Sequence, residues 1–240
     1  IYCDFSAYTD IAIGSSHLLG ITLPENFDSP YMATSPQDFW RRWHISLSTW
    51  LRDYLYIPPG GSRNGSRVMF FALMGTMIIG GLWHGASWNF VLWGFVHGLL
   101  LILHRALKHT KPIIYIYSKI PRISMLVAWI ITQYLIFMTW LIFRLENTST
   151  LIISLKTYVG INSYWDMQEM IDKLPTIKYL TFALAGLFIL GHILSWKVGG
   201  LKIWISKQNS LIWGFLIGTM LTLALFLRPV ETVDFIYFRF

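Results

Sequence analysis

A run of 37 residues without Asp, Glu, Lys or Arg, from Val68 to His104, limits the fold of this chain more than any other feature. As one straight helix it would be about 55 Å long, nearly twice the ~30 Å hydrocarbon core of a bilayer. We therefore predict a break at the glycines around His84, which leaves two helices of about 16–18 residues. Pieces this short place the turn inside the membrane, where irregular backbone is buried in protein or lines a cavity.

The composition agrees with a membrane protein. Hydrophobic residues make up 55% of the chain and charged residues 13%, with a mean hydropathy of +0.51, whereas soluble proteins carry about 25% charged residues. The net charge of +7 lies in short clusters between apolar runs, as the positive-inside rule expects, and no nucleic-acid-binding motif accompanies it. We expect no nucleic-acid partner. The single cysteine, Cys3, rules out a disulfide framework.

The basic clusters order the remaining spans. We predict spans over Ile123–Phe143, Tyr179–Trp196 and Gln208–Leu227. The cytoplasmic loops are marked by Arg105, Lys108, Lys111, Lys119 and Arg122, and again by Lys197, Lys202 and Lys207. A mixed-charge connection over Arg144–Lys178, with short surface helices, and the tail Arg228–Phe240 are expected outside. The fold class is thus all-α, a polytopic transmembrane helix bundle with short interfacial or re-entrant helices.

Before these spans, Leu23–Pro36 is predicted to be a loop, and Ser35 is predicted to cap a helix that runs from Pro36 to about Tyr54. One stripe of this helix carries polar residues, namely Arg41, His44, Ser48 and Arg52. Such a helix lies in the membrane interface or lines a wet cavity. His44 serves either a site in that cavity or lipid headgroups.

His84 is the candidate for catalysis, since an ionisable group among apolar membrane residues is a functional-site hypothesis. A neutral imidazole, whose pKa burial keeps low, suits a general base that activates an acceptor hydroxyl for attack on an acyl thioester. No nucleophilic serine constellation is visible, which favours direct transfer. His84, His97 and His104 lie in one run and could suggest a metal or haem site, but this run contains no Cys or carboxylate to complete the ligand set. We therefore expect no metal and interpret His97 and His104 as histidines of the core.

Several motifs together resemble the membrane-bound O-acyltransferase (MBOAT) family. They are Tyr2–Asp10, Leu23–Phe27, Phe39–Tyr56, Gly80–Gly85 and the ending Phe235–Phe240. Within this family, the motifs most resemble the branch of bacterial alginate O-acetyltransferases. The relatives of that branch include the teichoic-acid D-alanylation membrane subunit and peptidoglycan O-acetyltransferases. Ala7 and Pro59 depart from the branch pattern, where Gly and Leu are usual.

The resemblance implies that His84 is the catalytic histidine and His44 the second motif histidine. It implies a many-helix bundle around a funnel in the bacterial inner membrane, with no bound cofactor and with acetyl-CoA or another acyl thioester as donor. The implied acceptor is an extracytoplasmic polysaccharide or a partner protein, and a periplasmic SGNH-type acetyltransferase is the implied partner. Because the chain opens at Ile1 inside a membrane segment, we expect residues 1–240 to be the C-terminal part of one MBOAT domain whose N-terminal spans are missing.

We expect four further residues to bind substrate, namely Asp10, Arg42, Trp83 and Asn89. Trp83, Trp88 and Asn89 would shape the pocket and donate to the developing oxyanion. For Asp10 we favour a structural role, either as a helix cap or in an ion pair with an arginine. The alternative is that Asp10 orients a catalytic histidine. Two other functions remain open, a transporter whose broken helix lines the path and a scaffold that recruits a soluble acetyltransferase.

Overall fold

The computed structural model describes residues 1–161, 178–198 and 201–226 of the 240-residue chain. These residues are helical apart from turns and one isolated β-bridge. The chain divides into two compact units, residues 1–167 and residues 168–239. The prediction of a helix bundle is confirmed, whereas a single domain over 1–240 stays a prediction.

Helix α1, Tyr2–Leu18, opens the first unit and buries one stripe, Phe5, Thr9 and Ile13, at the four-residue spacing of a helix face. The segment that follows is a loop with one 3₁₀ turn at Pro30–Met32, as predicted.

Helix α2 spans Pro36–Arg42. The predicted cap is confirmed, because the backbone N–H of Asp38 donates to Oγ of Ser35 at 3.1 Å. Pro36 follows this cap at the first helical position, where its missing N–H costs nothing.

The prediction of one continuous helix up to Tyr54 is wrong. The helix stops at Arg42, and α3 begins only at Ile45 and ends at Leu51, followed by a π-helical turn at Arg52–Tyr56. Between α2 and α3, Trp43 is extended and pairs with Phe27 in an antiparallel bridge. Backbone groups of Arg42 and Ile45 therefore form hydrogen bonds with Asp28 and Asn26 of the preceding loop, and not with a continuous helix.

Helices α4, Gly65–Trp83, and α5, Trp88–Leu107, form a hairpin that breaks at His84, as predicted. Their lengths correct the prediction of short pieces. At 19 and 20 residues they are about 28–30 Å long, enough to cross a bilayer. They extend beyond the uncharged run because Arg67 and Arg105 lie at helix ends, where long basic side chains reach the interface.

Helix α6, Lys111–Lys119, lies within the basic segment that was predicted to be a loop. Helix α7, Pro121–Arg144, contains the predicted span and is the third helix long and apolar enough to cross a membrane. A short helix α8, Thr148–Tyr158, follows, as expected for this connection. Its other predicted residues, Asp166, Glu169, Asp172 and Lys173, lie outside the described residues.

Two hydrogen bonds attach α7 to the loop between α1 and α2. The indole Nε1 of Trp129 donates to the carbonyl of Tyr31 at 2.8 Å, and Nε2 of Gln133 donates to the carbonyl of Ala33 at 2.9 Å. Two apolar clusters form the core of this unit. One contains Phe90, Trp93, Ile142, Phe143 and Leu151, and the other contains Ala33, Phe39, Trp43 and Ile136.

The second unit contains α9, Lys178–Lys197, the short α10, Leu201–Ser206, and α11, Ser210–Phe226. Helices α9 and α11 match the two last predicted spans in position. Their apolar parts, Phe182–Lys197 and Ser210–Phe226, are shorter than α4, α5 and α7, which are long enough to cross a membrane. The tail from residue 228 and the Phe235–Phe240 motif lie outside the described residues.

Candidate active site

His84 is buried in a box of aromatic rings at the closed end of the α4–α5 hairpin, with 6% of its surface exposed. Ring centroids of Trp83, Trp93 and Phe143 lie 5.1, 5.2 and 5.1 Å from its imidazole, each nearly perpendicular to it, and Phe90 lies at 6.2 Å. The box brings together α4, α5 and α7.

The chain reverses directly after this residue. Gly85 has φ +152°, which residues other than glycine rarely adopt, and Oγ of Ser87 then caps α5 by accepting from the N–H of Asn89 at 3.4 Å. His84 is therefore the C-cap residue of α4, held between the end of that helix and the turn.

His44 is held by an unusual backbone. It lies between α2 and α3 with φ 44° and ψ 56°, a left-handed conformation that is uncommon for residues other than glycine and concentrates at functional sites. Hydrogen bonds to Asn26 fix the two residues that follow it, since the N–H of Ile45 donates to the carbonyl of Asn26 and Oγ of Ser46 donates to Oδ1 of Asn26 at 2.6 Å.

The imidazole of His44 is 7% exposed and lies edge-on to Phe5 at 4.6 Å. Burial lowers the pKa of His44 to about 4. Its Nδ1 lies 3.5 Å from the hydroxyl of Ser46. This ring is therefore a neutral group at physiological pH.

Trp83 connects the two histidines. Its ring centroid lies 5.9 Å from that of His44 and 5.1 Å from that of His84, so one indole contacts both imidazoles. The indole is 57% exposed, which leaves a face for another molecule. The structure thus brings both candidate histidines against one side chain, and the catalytic roles of the histidines and substrate binding by Trp83 stay predictions.

The other predicted residues have different surroundings. Arg42 Nε donates to Asp38 at 2.9 Å, and its guanidinium also contacts the carbonyl and carboxylate of Asp28. Asn89 donates its side-chain N–H to the carbonyl of Leu145. Asp10 is exposed on α1. Two of these groups therefore already hold structural hydrogen bonds, and their substrate-binding roles stay predictions.

A cavity of about 480 Å³ lies between α2, α3, α4 and α5, on the side of the histidines that faces the basic loops. Its wall is mostly apolar, with Arg41, Ser48 and Arg52 among the polar lining residues. A second cavity of about 300 Å³ adjoins it, because the two share lining residues, and adds Ser62 and Arg105. Three residues of the predicted polar stripe thus line one cavity even though the helix that carries them is broken.

Sequence reasoning missed Trp93. It is one of several tryptophans in an apolar run, and nothing in its spacing distinguishes it, yet it is 2% exposed and lies between His84 and His97. His97 is fully buried and accepts a hydrogen bond at Nδ1 from Nε1 of Trp40 at 3.2 Å. It is a hydrogen-bonded core histidine, as predicted, although its partner is an indole. His104 lies further along α5 and is half-buried.

No group of three or more His, Cys, Asp or Glu within residues 1–161, 178–198 and 201–226 is placed to hold a metal ion.

The sequence model of the membrane-bound O-acyltransferase family matches residues 1–145. The chain is 45% identical to a peptidoglycan O-acetyltransferase of Helicobacter pylori over 68% of its length and 30% of the relative's. It is 42% identical to a probable alginate O-acetylase of Pseudomonas aeruginosa over 71% and 31%, respectively.

A teichoic acid D-alanyltransferase of Streptococcus thermophilus is 32% identical over 48% of the chain and 29% of that protein. The chain spans about a third of the length of the first two relatives. The matched residues include α1 to α7 and both candidate histidines. This chain belongs to the membrane-bound O-acyltransferase family, and its apolar helices make it part of a multi-pass membrane protein.

Proposed function

We propose that the protein carrying this chain moves an acyl group, acetyl in the simplest case, from a cytoplasmic thioester such as acetyl-CoA to hydroxyls of an extracytoplasmic polysaccharide. The observation that carries the proposal is His84, buried among aromatic rings and linked through Trp83 to the strained His44. Relatives named for acetyl transfer to peptidoglycan and alginate support the acceptor class.

In this reaction His84 is the general base. It removes the proton of the acceptor hydroxyl as the oxygen attacks the thioester carbonyl carbon, and the carbonyl oxygen takes up the negative charge. When the tetrahedral intermediate collapses, the carbon–sulfur bond breaks and the thiolate receives the proton from His84. The products are an ester and a free thiol.

The arginine-lined cavity is the proposed donor site. Arg41 and Arg105 line the joined cavities, and neither has an ion-pair partner among the described residues, so they suit the phosphates of a thioester carrier. The apolar wall suits the arm that leads to the thioester. Ile45, which directly follows His44, is part of this wall.

Three finer features extend the proposal. The location is the bacterial cytoplasmic membrane, with the loops around Arg105 and Lys108 on the cytoplasmic side by their positive charge. The partner is a periplasmic SGNH-type acetyltransferase, and the alternative acceptor is a group on that partner. Lipid contacts the apolar helix faces.

The test uses the full coding sequence that carries this chain, with His84→Ala and His44→Ala variants and His17→Ala, exposed at the end of α1, as matched control. After membrane abundance is equalised, ester on the extracellular polymer is measured. We expect His84→Ala to lose about 10²- to 10⁴-fold of activity, the contribution of a general base. We expect strong impairment from His44→Ala and wild-type ester from the control. Wild-type ester from His84→Ala would show that the proposed function of this histidine is wrong.

A further inference from the structure

The indole N–H of Trp93 is a buried donor without a hydrogen-bond partner among the described residues. A buried donor left unpaired carries the full cost of its desolvation, so such a group next to a candidate catalytic residue needs an explanation. The ring itself is well placed, in edge contact with His84 at 5.2 Å and with Phe143 at 5.4 Å.

The neighbouring imidazole of His97 does not serve as its acceptor, although their ring centroids are only 4.5 Å apart. Nδ1 of His97 accepts the N–H of Trp40, so the proton of the neutral ring is on Nε2, which is therefore a donor. That Nε2 is itself buried and lacks a partner in the described part of the chain. Neither ring nitrogen of His97 is therefore available as an acceptor for the Trp93 N–H.

The other candidates for an oxyanion donor are less suited. The side chain of Asn89 donates to the carbonyl of Leu145, and the ring of Trp83 is more than half exposed, where water competes for its N–H. Trp93 alone of these three combines burial, contact with His84 and an unused donor. Preorganised donors in a water-excluded site stabilise a developing negative charge most strongly.

We propose that Trp93 is a catalytic residue whose Nε1–H donates to the oxyanion formed on the acyl carbonyl during transfer. The inference rests on the proposed function and adds one group to it. As the acceptor oxygen bonds to the carbonyl carbon, the carbon–oxygen double bond becomes a single bond and its oxygen accepts from Trp93. When the thiolate leaves, the double bond re-forms and this hydrogen bond weakens.

The test is Trp93→Phe in the full coding sequence, with purified protein assayed for kcat, KM and thermal stability in detergent. We expect kcat to fall about 10²- to 10³-fold, the effect of removing one oxyanion donor, with little change in KM. The smaller phenyl ring leaves a cavity in the core and lowers Tm, so Tm is compared in the isosteric variant described below, where loss of an N–H without a partner should leave Tm level or raise it. An N–H that only supports the fold would lower Tm instead.

Trp129→Phe is the matched control, because its N–H donates to the carbonyl of Tyr31 away from His84. It should lower Tm and leave kcat of the folded protein unchanged. Incorporation of β-(3-benzothienyl)alanine at position 93 keeps the bicyclic ring and removes only the N–H, so a packing defect of the phenyl ring does not obscure the result. It should reproduce the loss of kcat.

Wild-type kcat in the benzothienyl protein, or a kcat that falls only together with Tm, would overturn the assignment. A His84→Ala protein assayed in parallel distinguishes failure of the role of Trp93 from failure of the proposed function. If His84→Ala is inactive and the Trp93 variants are normal, only the role of Trp93 is lost. If His84→Ala is fully active, the proposed function and this inference both fail.

Discussion

Gly81 of α4 and Gly94 of α5 face each other where the two helices cross. A Cβ built on Gly81 would lie 3.3 Å from the Cα of Gly94 and would overlap the carbonyl of Phe90, and a Cβ on Gly94 would overlap the carbonyl of Met77. These overlaps are with backbone atoms, which cannot move aside as the end of a flexible side chain can. We expect Gly81→Ala and Gly94→Ala each to destabilise the protein by about 1–3 kcal/mol or more, measured as a loss of Tm in detergent.

Gly75, on the same helix, is the control for this pair, because a Cβ there meets no atom within 4 Å. Gly75→Ala should stabilise the helix by about 0.5–1 kcal/mol through its lower conformational entropy. Equal Tm values for all three variants would contradict the close crossing.

Two neighbouring arginines should respond differently to substitution. Arg41 lines the proposed donor cavity, whereas Arg42 holds the loop through Asp28 and Asp38. We expect Arg41→Gln to raise KM for the thioester donor about 10- to 100-fold, the effect of losing a hydrogen bond to a charged group, with Tm unchanged. Arg42→Gln should lower Tm and leave donor KM near wild type. The reverse pattern would move the donor contact to Arg42.

The stability of the protein should depend on the titration of His44. Its pKa is about 4 in the folded protein and about 6.5 in an unfolded chain, so below pH 6.5 the unfolded chain binds a proton that the folded protein does not. The resulting stabilisation is complete above pH 6.5 and is lost as the pH falls towards 4.

His44→Asn tests this dependence, because Asn tolerates left-handed backbone and does not titrate in this range. We expect Tm of the variant to fall less between pH 7 and pH 4 than that of the wild type, while His17→Asn behaves as the wild type. Parallel Tm curves for wild type and His44→Asn would contradict a buried neutral His44.

Asn89 connects the start of α5 to the end of α7 through the carbonyl of Leu145. Asn89→Asp removes the N–H donor and places a carboxylate against a carbonyl oxygen. We expect a loss of at least about 0.5–1.5 kcal/mol in the free energy of unfolding, with kcat per folded molecule near wild type. A loss of kcat at unchanged Tm would instead support the oxyanion role that the sequence predicted for this residue.

The sequence predicts the features that depend on local chemistry. The break at His84 follows from an uncharged run too long for one span, and the Ser35 cap follows from a serine before a proline. The gap between α2 and α3 is different, because the polar stripe from Arg41 to Arg52 fits a continuous helix. What interrupts it is pairing with Phe27, and such long-range pairing overrides local pattern.

The site was predictable only in part for the same reason. His84 is recognisable as a polar residue in apolar surroundings, but Trp93 is one aromatic residue among many, and only its burial and its unused N–H distinguish it. Likewise, Arg41 and Arg42 look equivalent in sequence. Which arginine meets the aspartates depends on the path of the preceding loop.

The uncharged turn between α4 and α5 has a consequence for biogenesis. Residues 84–87 carry no formal charge, and the backbones of the two flanking helices lie in close contact at Gly81 and Gly94. A pair of this kind can leave the translocon as a closed unit, with its basic ends retained on the side of synthesis and no ionised side chain carried through the lipid. The aromatic box around His84 is then completed only after the hairpin has been made, because Phe143 of α7 follows it in the chain.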